Sequence, residues 1–359
     1  MRILLPIHQA RAAGGIGTVS RGLERWLPSA LSVEDELITI GGNDQELGPI
    51  LNVATRRLGT TGSLARLIHE QVSLPQVARQ VDLIHLCDLR PIAFSRTPFI
   101  ITIHDVTFLD QPRWQPTASN RYKAAMLRLA LLKQPSAIVC DSHYTLERFL
   151  AHHPTADRFR PRVIYPGLAQ PIPDAPPVED APYFLTVSTV ETRKNHLTLL
   201  KAFKYARARG LKLRWKVAGA AGHGSQSILA ELRTNPGIDV LGLVDESELE
   251  RLYRGARFVA IPTMAEGFGF PPLEAMARGV ATVCSTGSSL DETAGKGALR
   301  VPPHDVPAWT TALLRLATDE DELHRLQAAG RQQAARFSWA RAAEEYVACF
   351  RDVLLRKQA

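Results

Sequence analysis

Along its whole length the chain alternates between short β-branched or apolar runs and longer stretches with helical periodicity. Few architectures accept that pattern. Strands separated by helices are joined in parallel by crossover connections, so the expected fold class is α/β with doubly wound parallel sheets. The strand candidates in the first half are 2–7, 37–41, 81–87, 99–104, 137–141 and 162–165. In the second half they are 183–188, 215–218, 239–244, 258–262, 281–285 and 298–301. These runs are apolar almost without a break, as strands are when helices cover both faces of their sheet.

Between the halves, residues 161–182 hold seven prolines: Pro161, Pro166, Pro171, Pro173, Pro176, Pro177 and Pro182. Proline donates no ladder hydrogen bond and restricts its neighbours, which makes this stretch a linker. With 359 residues, the chain divides into a domain over 1–174, a domain over 175–337 and a closing amphipathic helix over 338–359, with Ser338 as its N-cap. Ligands of doubly wound sheets sit beyond the carboxyl ends of the strands, so functional motifs are sought in loops that follow strands.

Charge and cysteines narrow the class. The net charge is +7, and residues 1–170 carry most of it, with 19 Lys and Arg against 14 Asp and Glu. Such a bias suits an anionic partner, for example a membrane surface or a phosphorylated lipid, and equally suits a solvated face. Aromatic residues are 7% of the chain and no basic run is interleaved with them, so nucleic acid is not an expected partner. Cys87, Cys140, Cys284 and Cys349 form no CxxC pair and read as reduced core residues, which points to the cytoplasm. No secretory signal or membrane-spanning run is visible; the expected protein is soluble or peripheral.

Four motifs follow strands. Gly14-Gly15-Ile16-Gly17 precedes a helical stretch and offers backbone N–H groups to an anion, or simply caps a helix. It departs from the dinucleotide fingerprint because Ser20 stands where the third glycine belongs, which argues against a nicotinamide dehydrogenase. His104-Asp105 ends the run 99–104, where an imidazole can contact a substrate, move a proton, or only bond its own loop. In Glu191-Thr192-Arg193-Lys194-Asn195-His196, two cations sit at a helix start, which the helix dipole disfavours. A diphosphate is one negative group that would compensate them; solvated surface cations are the alternative. The most informative string is Glu266-Gly267-Phe268-Gly269-Phe270-Pro271-Pro272-Leu273-Glu274. It places one carboxylate before a glycine turn and a second in the first turn of the helix that follows.

Glu266 and Glu274 match the E-x7-E signature of retaining glycosyltransferase family 4, and the chain resembles that family at the other three motifs, at residues 285–295 and at Trp339. The resemblance covers nearly the full chain. It implies a GT-B fold, two Rossmann-like domains facing across a cleft, with the closing helix returning toward the N-terminal domain. It implies a nucleotide-sugar donor held by the C-terminal domain. Arg193 and Lys194 would clamp the diphosphate, Glu274 would bond the ribose, and Glu266 with the backbone of Gly267, Phe268 and Gly269 would hold the donor sugar. Gly15 and Gly17 would approach the phosphates, and His104 would contact the donor sugar near the reacting carbon.

No cofactor or metal is expected. The only Asp-x-Asp, Asp319-Glu320-Asp321, lies in a polar stretch far from the motif loops. Retention follows from the resemblance, and a front-face reaction fits a chain with no identifiable carboxylate nucleophile. The resemblance extends to bacterial mannosyl- and rhamnosyltransferases of surface polysaccharide and lipopolysaccharide assembly. GDP-mannose is therefore the first donor to test, with a glycan or lipid-linked saccharide as acceptor at the cytoplasmic face of the inner membrane. A GT-B nucleotide-sugar epimerase and a non-catalytic nucleotide-sugar-binding protein share the same donor features. The stretch 121–133, apolar in its middle with cations at Arg121, Lys123, Arg128 and Lys133, is the candidate for membrane contact.

Overall fold

The computed structural model describes residues 1–7, 14–40, 53–56, 74–92, 94–169 and 182–358. The predicted domain boundary at 174/175 and most of the proline-rich linker lie outside the described residues. Two compact units emerge, one from Met1–Asp110, Thr117–Gly167 and Phe337–Ala359, the other from Gln111–Pro116 and Leu168–Arg336.

The first unit contains a sheet of β1 (Arg2–Pro6), β2 (Glu36–Ile40), β3 (Val53–Arg56), β4 (Leu83–Leu86), β5 (Phe99–Ile103), β6 (Ala137–Cys140) and β7 (Arg162–Val163). Its order is β3-β2-β1-β4-β5-β6-β7, and every pairing is parallel. The order reverses between β1 and β4, so the topological switch point lies beyond their carboxyl ends. Strand β3 was not expected from the sequence. It is four residues long with only Val53 and Ala54 apolar, and its pairing with β2, Leu37 opposite Val53, supplies what local pattern does not.

Helix α1 (Gly15–Ala30) follows β1 and buries Val19, Leu23 and Leu27, spaced four apart on one face. Helix α2 (Thr117–Leu132) buries Asn120, Leu127 and Ala130. The core of this unit gathers Leu4, Ile84, Ile101, Ile103, Ile138 and Phe149.

The second unit holds β8 (Tyr183–Val187), β9 (Arg214–Ala218), β10 (Ile238–Gly242), β11 (Phe258–Ile261), β12 (Ala281–Ser285) and β13 (Leu299–Val301). They form a parallel sheet in the order β10-β9-β8-β11-β12-β13, with the switch point between β8 and β11. The helices used below are α3 (His196–Ala208), α4 (Glu246–Gly255) and α5 (Phe270–Ala277). Phe184 stacks between Trp215 and Phe258, at ring-centroid distances of 5.7 and 5.1 Å, and centres this core.

Helix α6 (Trp339–Gln358) brings the chain end back to the first unit, where it packs on α1. Trp339 is 6% exposed and lies against Gly22 and Gly167. A Cβ at Gly22 would fall 2.2 Å from the indole, so the glycine is what lets the ring seat. A buried polar chain adds to this docking: His85 Nε2 lies 2.9 Å from Thr102 Oγ1, which lies 3.3 Å from Tyr346 Oη on α6. The four cysteines are buried and unpaired.

Candidate active site

In the second unit, the loops after β8 and β11 leave from the two sides of the switch point. The β8 loop turns through a short 3-10 helix, Thr192–Lys194, and reaches α3 through Asn195 in the left-handed region (φ 58°). Asn195 is held there by its side chain, which donates to the carbonyls of Pro262 (2.9 Å) and Pro303 (2.6 Å). The β11 loop is tied to it by the amide of Met264, which donates to the Arg193 carbonyl at 2.8 Å.

This cross-bracing brings the two predicted cations onto one predicted carboxylate. Lys194 Nζ donates to Glu266 Oε1 at 2.6 Å, and Arg193 donates to Glu266 Oε2 at 3.1 Å. Arg193 also donates to Glu191 Oε1 at 2.8 Å and to the Ala265 carbonyl at 2.7 Å. Lys194 and Glu266 are both buried. Burial raises the pKa of Glu266, but the charges of Lys194 and Arg193 outweigh it and hold the carboxyl at about 2. The cations are therefore not uncompensated in this state. Glu191 and Glu266, both quoted within the motifs, neutralise them.

Glu266 leads into the glycine turn. Gly269 takes φ +90°, and a Cβ there would meet Leu290 Cδ2 at 2.3 Å, so both conformation and space call for glycine. Phe268 is buried against Phe270 at 4.9 Å, and its carbonyl accepts from Thr293 Oγ1 at 3.0 Å. The side chain of Phe268 is thus core, and the loop backbone is fixed by a hydroxyl from after β12.

Glu274 departs from its expected place. It is the fifth residue of α5 and lies in the second turn, not the first. The sequence places Pro271 and Pro272 before it, but the helix already begins at Phe270. Nor does Glu274 share the cluster of Glu266. Its Oε2 accepts from Tyr253 Oη on α4 at 3.0 Å, and the ring of Tyr253 carries the guanidinium of Arg278 at 5.0 Å. Burial pushes the Glu274 carboxyl above its ordinary range, with Arg278 opposing. Tyr253 was not singled out in the sequence; a lone Tyr inside a polar helix carries no local sign that it orients a carboxylate twenty-one residues away.

In the first unit, His104 follows β5 and meets two partners: Asp141 Oδ2 lies 2.6 Å from Nδ1, and the Cys87 carbonyl lies 2.7 Å from Nε2. Asp141 directly follows β6, so the rule that directs attention to strand ends would have found it. Asp105 forms a turn of its own, accepting from the amide and hydroxyl of Thr107 at 2.9 and 2.7 Å. Gly15 and Gly17 occupy the first turn of α1, whose N-cap Gly14 has φ 97°. Gly15 is exposed and Gly17 is buried. Asp319 of the Asp-x-Asp string is a helix N-cap, accepting from the Glu322 amide at 2.9 Å. Among the described residues, no group of three or more His, Cys, Asp or Glu side chains is placed to hold a metal ion.

Two parallel doubly wound sheets in one chain, with loop motifs at the carboxyl ends of their strands, match the GT-B fold. Solved structures agree on the fold. Sucrose-phosphate synthase from Thermosynechococcus elongatus superposes with a TM-score of 0.75 at 19% identity, over 99% of this chain and 100% of that one. Anabaena HepE, solved in complex with UDP and glucose, gives 0.74 at 16% identity, over 98% and 100%. The family model for glycosyltransferase family 4 matches residues 13–169, and that for glycosyl transferases group 1 matches residues 172–333. The chain belongs to this glycosyltransferase family. It is 30% identical to O-antigen chain mannosyltransferase B of Escherichia coli over 67% of this chain and 66% of that protein. It is also 30% identical to the serotype-specific mannosyltransferase WbdA of Escherichia coli, over 49% of this chain and 22% of the larger protein.

Proposed function

We propose that the chain is a retaining, metal-independent hexosyltransferase that moves a sugar from a nucleotide-sugar donor to a glycan or lipid-linked saccharide. The observation that carries this reading is the convergence of Arg193, Lys194 and Glu266 at the switch point of the second sheet. Breaking a sugar–phosphate bond leaves new charge on the diphosphate. Fixed cations stabilise that charge as it develops, an effect of about 3 kcal/mol per group in comparable sites. In this reading Arg193 and Lys194 receive the diphosphate, Glu266 holds them in place, and the backbone of Gly267–Gly269 supports the sugar. Glu274, with Tyr253 on one oxygen, offers its other oxygen to the ribose. The acceptor oxygen attacks C1 on the face from which the diphosphate leaves, and its proton passes to the departing phosphate oxygen. Both carboxylate oxygens of Glu266 are taken by cations, which supports a reaction that needs no metal.

Mannosyltransferases among the relatives support GDP-mannose as donor. HepE was solved with UDP-glucose, so the test panel needs UDP-sugars as well. Purified protein is screened by thermal shift against GDP-mannose, UDP-glucose and their nucleoside diphosphates, then assayed for transfer with the product anomer read by NMR. A donor at 100 times its Kd stabilises by about 2.7 kcal/mol. No shift with any donor, or an inverted product, defeats the proposal. Activity is expected to survive excess EDTA; loss that magnesium or manganese restores defeats metal independence.

We further place the acceptor at an anionic membrane surface on the cytoplasmic side. The four buried, unpaired cysteines support a reducing compartment. No helix among the described residues is long and apolar enough to cross a membrane. On α2, Arg121, Tyr122, Ala125, Arg128 and Leu132 are exposed and fall on one face, Leu132 to 78%. Lys123 is not part of that face; its ammonium lies 5.9 Å over the ring of Phe108. Binding to anionic vesicles is expected at low salt, weakening as salt screens the charges, and falling when Arg121 and Arg128 become Glu. Absence of binding at low salt defeats membrane docking.

A further inference from the structure

The surroundings of His104 fix its protonation state. Nδ1 faces a carboxylate oxygen of Asp141 at 2.6 Å and Nε2 faces the carbonyl oxygen of Cys87 at 2.7 Å. A carbonyl only accepts, and so does an ionised carboxylate, so both ring nitrogens donate and the ring carries two N–H bonds. A neutral imidazole would set a lone pair against one of these oxygens. Among the described residues, His104 is the only cation paired with Asp141.

The other groups around the ring oppose this little. His85 on β4 interacts electrostatically with the ring, and burial pushes it down to about 3, which leaves it uncharged. Burial raises the thiol of Cys87 and the phenol of Tyr346, so both stay neutral. Asp105, on the loop of His104 itself, adds negative charge, and Thr145 contributes a hydroxyl, 3.4 Å from the His104 carbonyl. Burial alone would lower His104; Asp141 outweighs it and raises the ring to about 9.

We propose that Asp141 is a positioning residue that locks His104 as an imidazolium with both N–H bonds spent on the protein, so that His104 acts through its charge and not as an acid or base. The pair lies at the carboxyl ends of β5 and β6, with the Cys87 carbonyl supplied from the end of β4. His104 is 12% exposed and Asp141 3%, so the positive end of the pair is the accessible one. A group with developing negative charge is what such an end favours. This inference rests on the transferase reading for the identity of that group, but not for the state of the ring.

The test uses the full chain with histidine labelled at the ring nitrogens, His104 being assigned from its loss in His104→Gln. At pH 7.5 both nitrogens are expected to show as protonated, with titration only above about 8. In Asp141→Asn the ring is expected to become neutral at pH 7.5 and to titrate at or below the ordinary histidine value of about 6.5, because burial is then no longer outweighed. Donor turnover by the unsubstituted enzyme is expected to stay flat between pH 6 and 8. In Asp141→Asn it is expected to fall by at least about twentyfold over that range, following loss of the ring proton. Asp141→Glu, which keeps the charge, should restore the flat profile. A neutral ring at pH 7.5 in the unsubstituted protein, the proton resting on Asp141 or absent, overturns the proposal. So does an Asp141→Asn profile parallel to the original. If no donor is turned over, the transferase reading fails by itself and the ring spectra still decide the lock.

Discussion

Lys194 Nζ lies 2.6 Å from Glu266 Oε1, although the two residues are 72 positions apart and stand on loops from different strands. Both are buried, so neither charge has water to fall back on. Removing Glu266 strands Lys194, while removing Lys194 leaves Glu266 with Arg193 alone. Lys194→Ala is expected to destabilise the protein by about 3–5 kcal/mol, whereas the double change Lys194→Met with Glu266→Gln should cost clearly less. Urea denaturation of Lys194→Ala, Glu266→Gln and the double variant measures this. A double loss equal to the sum of the two single losses would show that the pair is not coupled.

Arg193→Ala is the cleaner test of donor binding, because Glu266 retains Lys194. Donor Kd is expected to rise at least about tenfold, the scale of one charge-assisted bond, with the fold intact. Titration calorimetry with the preferred nucleoside diphosphate reads it. An unchanged Kd would remove Arg193 from the donor site.

Stability should depend on pH from both sides. Glu266 has a folded pKa near 2 against an ordinary 4.5, so its contribution is present above 4.5 and lost as pH falls through 2. His104 is raised to about 9 from 6.5, so its contribution is complete below 6.5 and lost as pH rises through 9. Urea midpoints across this range should decline at both ends. Asp141→Asn should flatten the alkaline decline alone, and Glu266→Gln should lessen the acid one, to which His85, held at about 3 against an ordinary 6.5, also contributes. A midpoint constant from pH 7 to 9.5 in the unsubstituted protein would contradict the His104 assignment.

Gly269→Ala should be damaging out of proportion to its size. The added methyl meets Leu290 at 2.3 Å in a backbone at φ +90°. A loss of about 1–3 kcal/mol is expected from the clash and the strained conformation together. Donor affinity should fall with it, because the glycine turn moves. A variant with the original melting point would mean that the turn tolerates a side chain.

Trp339 should anchor the closing helix. Truncation to Ala is expected to cost about 3–5 kcal/mol, as for other fully packed aromatic residues. Gly22→Val should cost a comparable amount by expelling the ring from its seat 2.2 Å away. Proteolysis of the chain end, followed by mass spectrometry, should quicken in both. Unaltered digestion would place the helix's hold elsewhere.

Local pattern determined a good deal of this protein. Apolar runs with intervening helical periodicity suffice to specify parallel sheets, because each strand announces its own burial on both faces. Glycines at 14 and 269 could be read as turns, because an amino acid's backbone freedom is its own property. The strands bearing the motifs were legible for the same reason. What tertiary structure decided is which charges meet. The dipole argument could say that Arg193 and Lys194 needed a negative partner but not that Glu266 is that partner, because the pairing depends on β8 and β11 being neighbours in the sheet. His104 could be placed at a strand end, yet its charge depends on Asp141 and Cys87, brought beside it by β6 and β4. Lys123 reads as a surface cation in the chain and sits over Phe108 in the fold. Periodicity is a property of neighbours along the chain, whereas charge compensation is a property of neighbours across it, and only the assembled sheets create those.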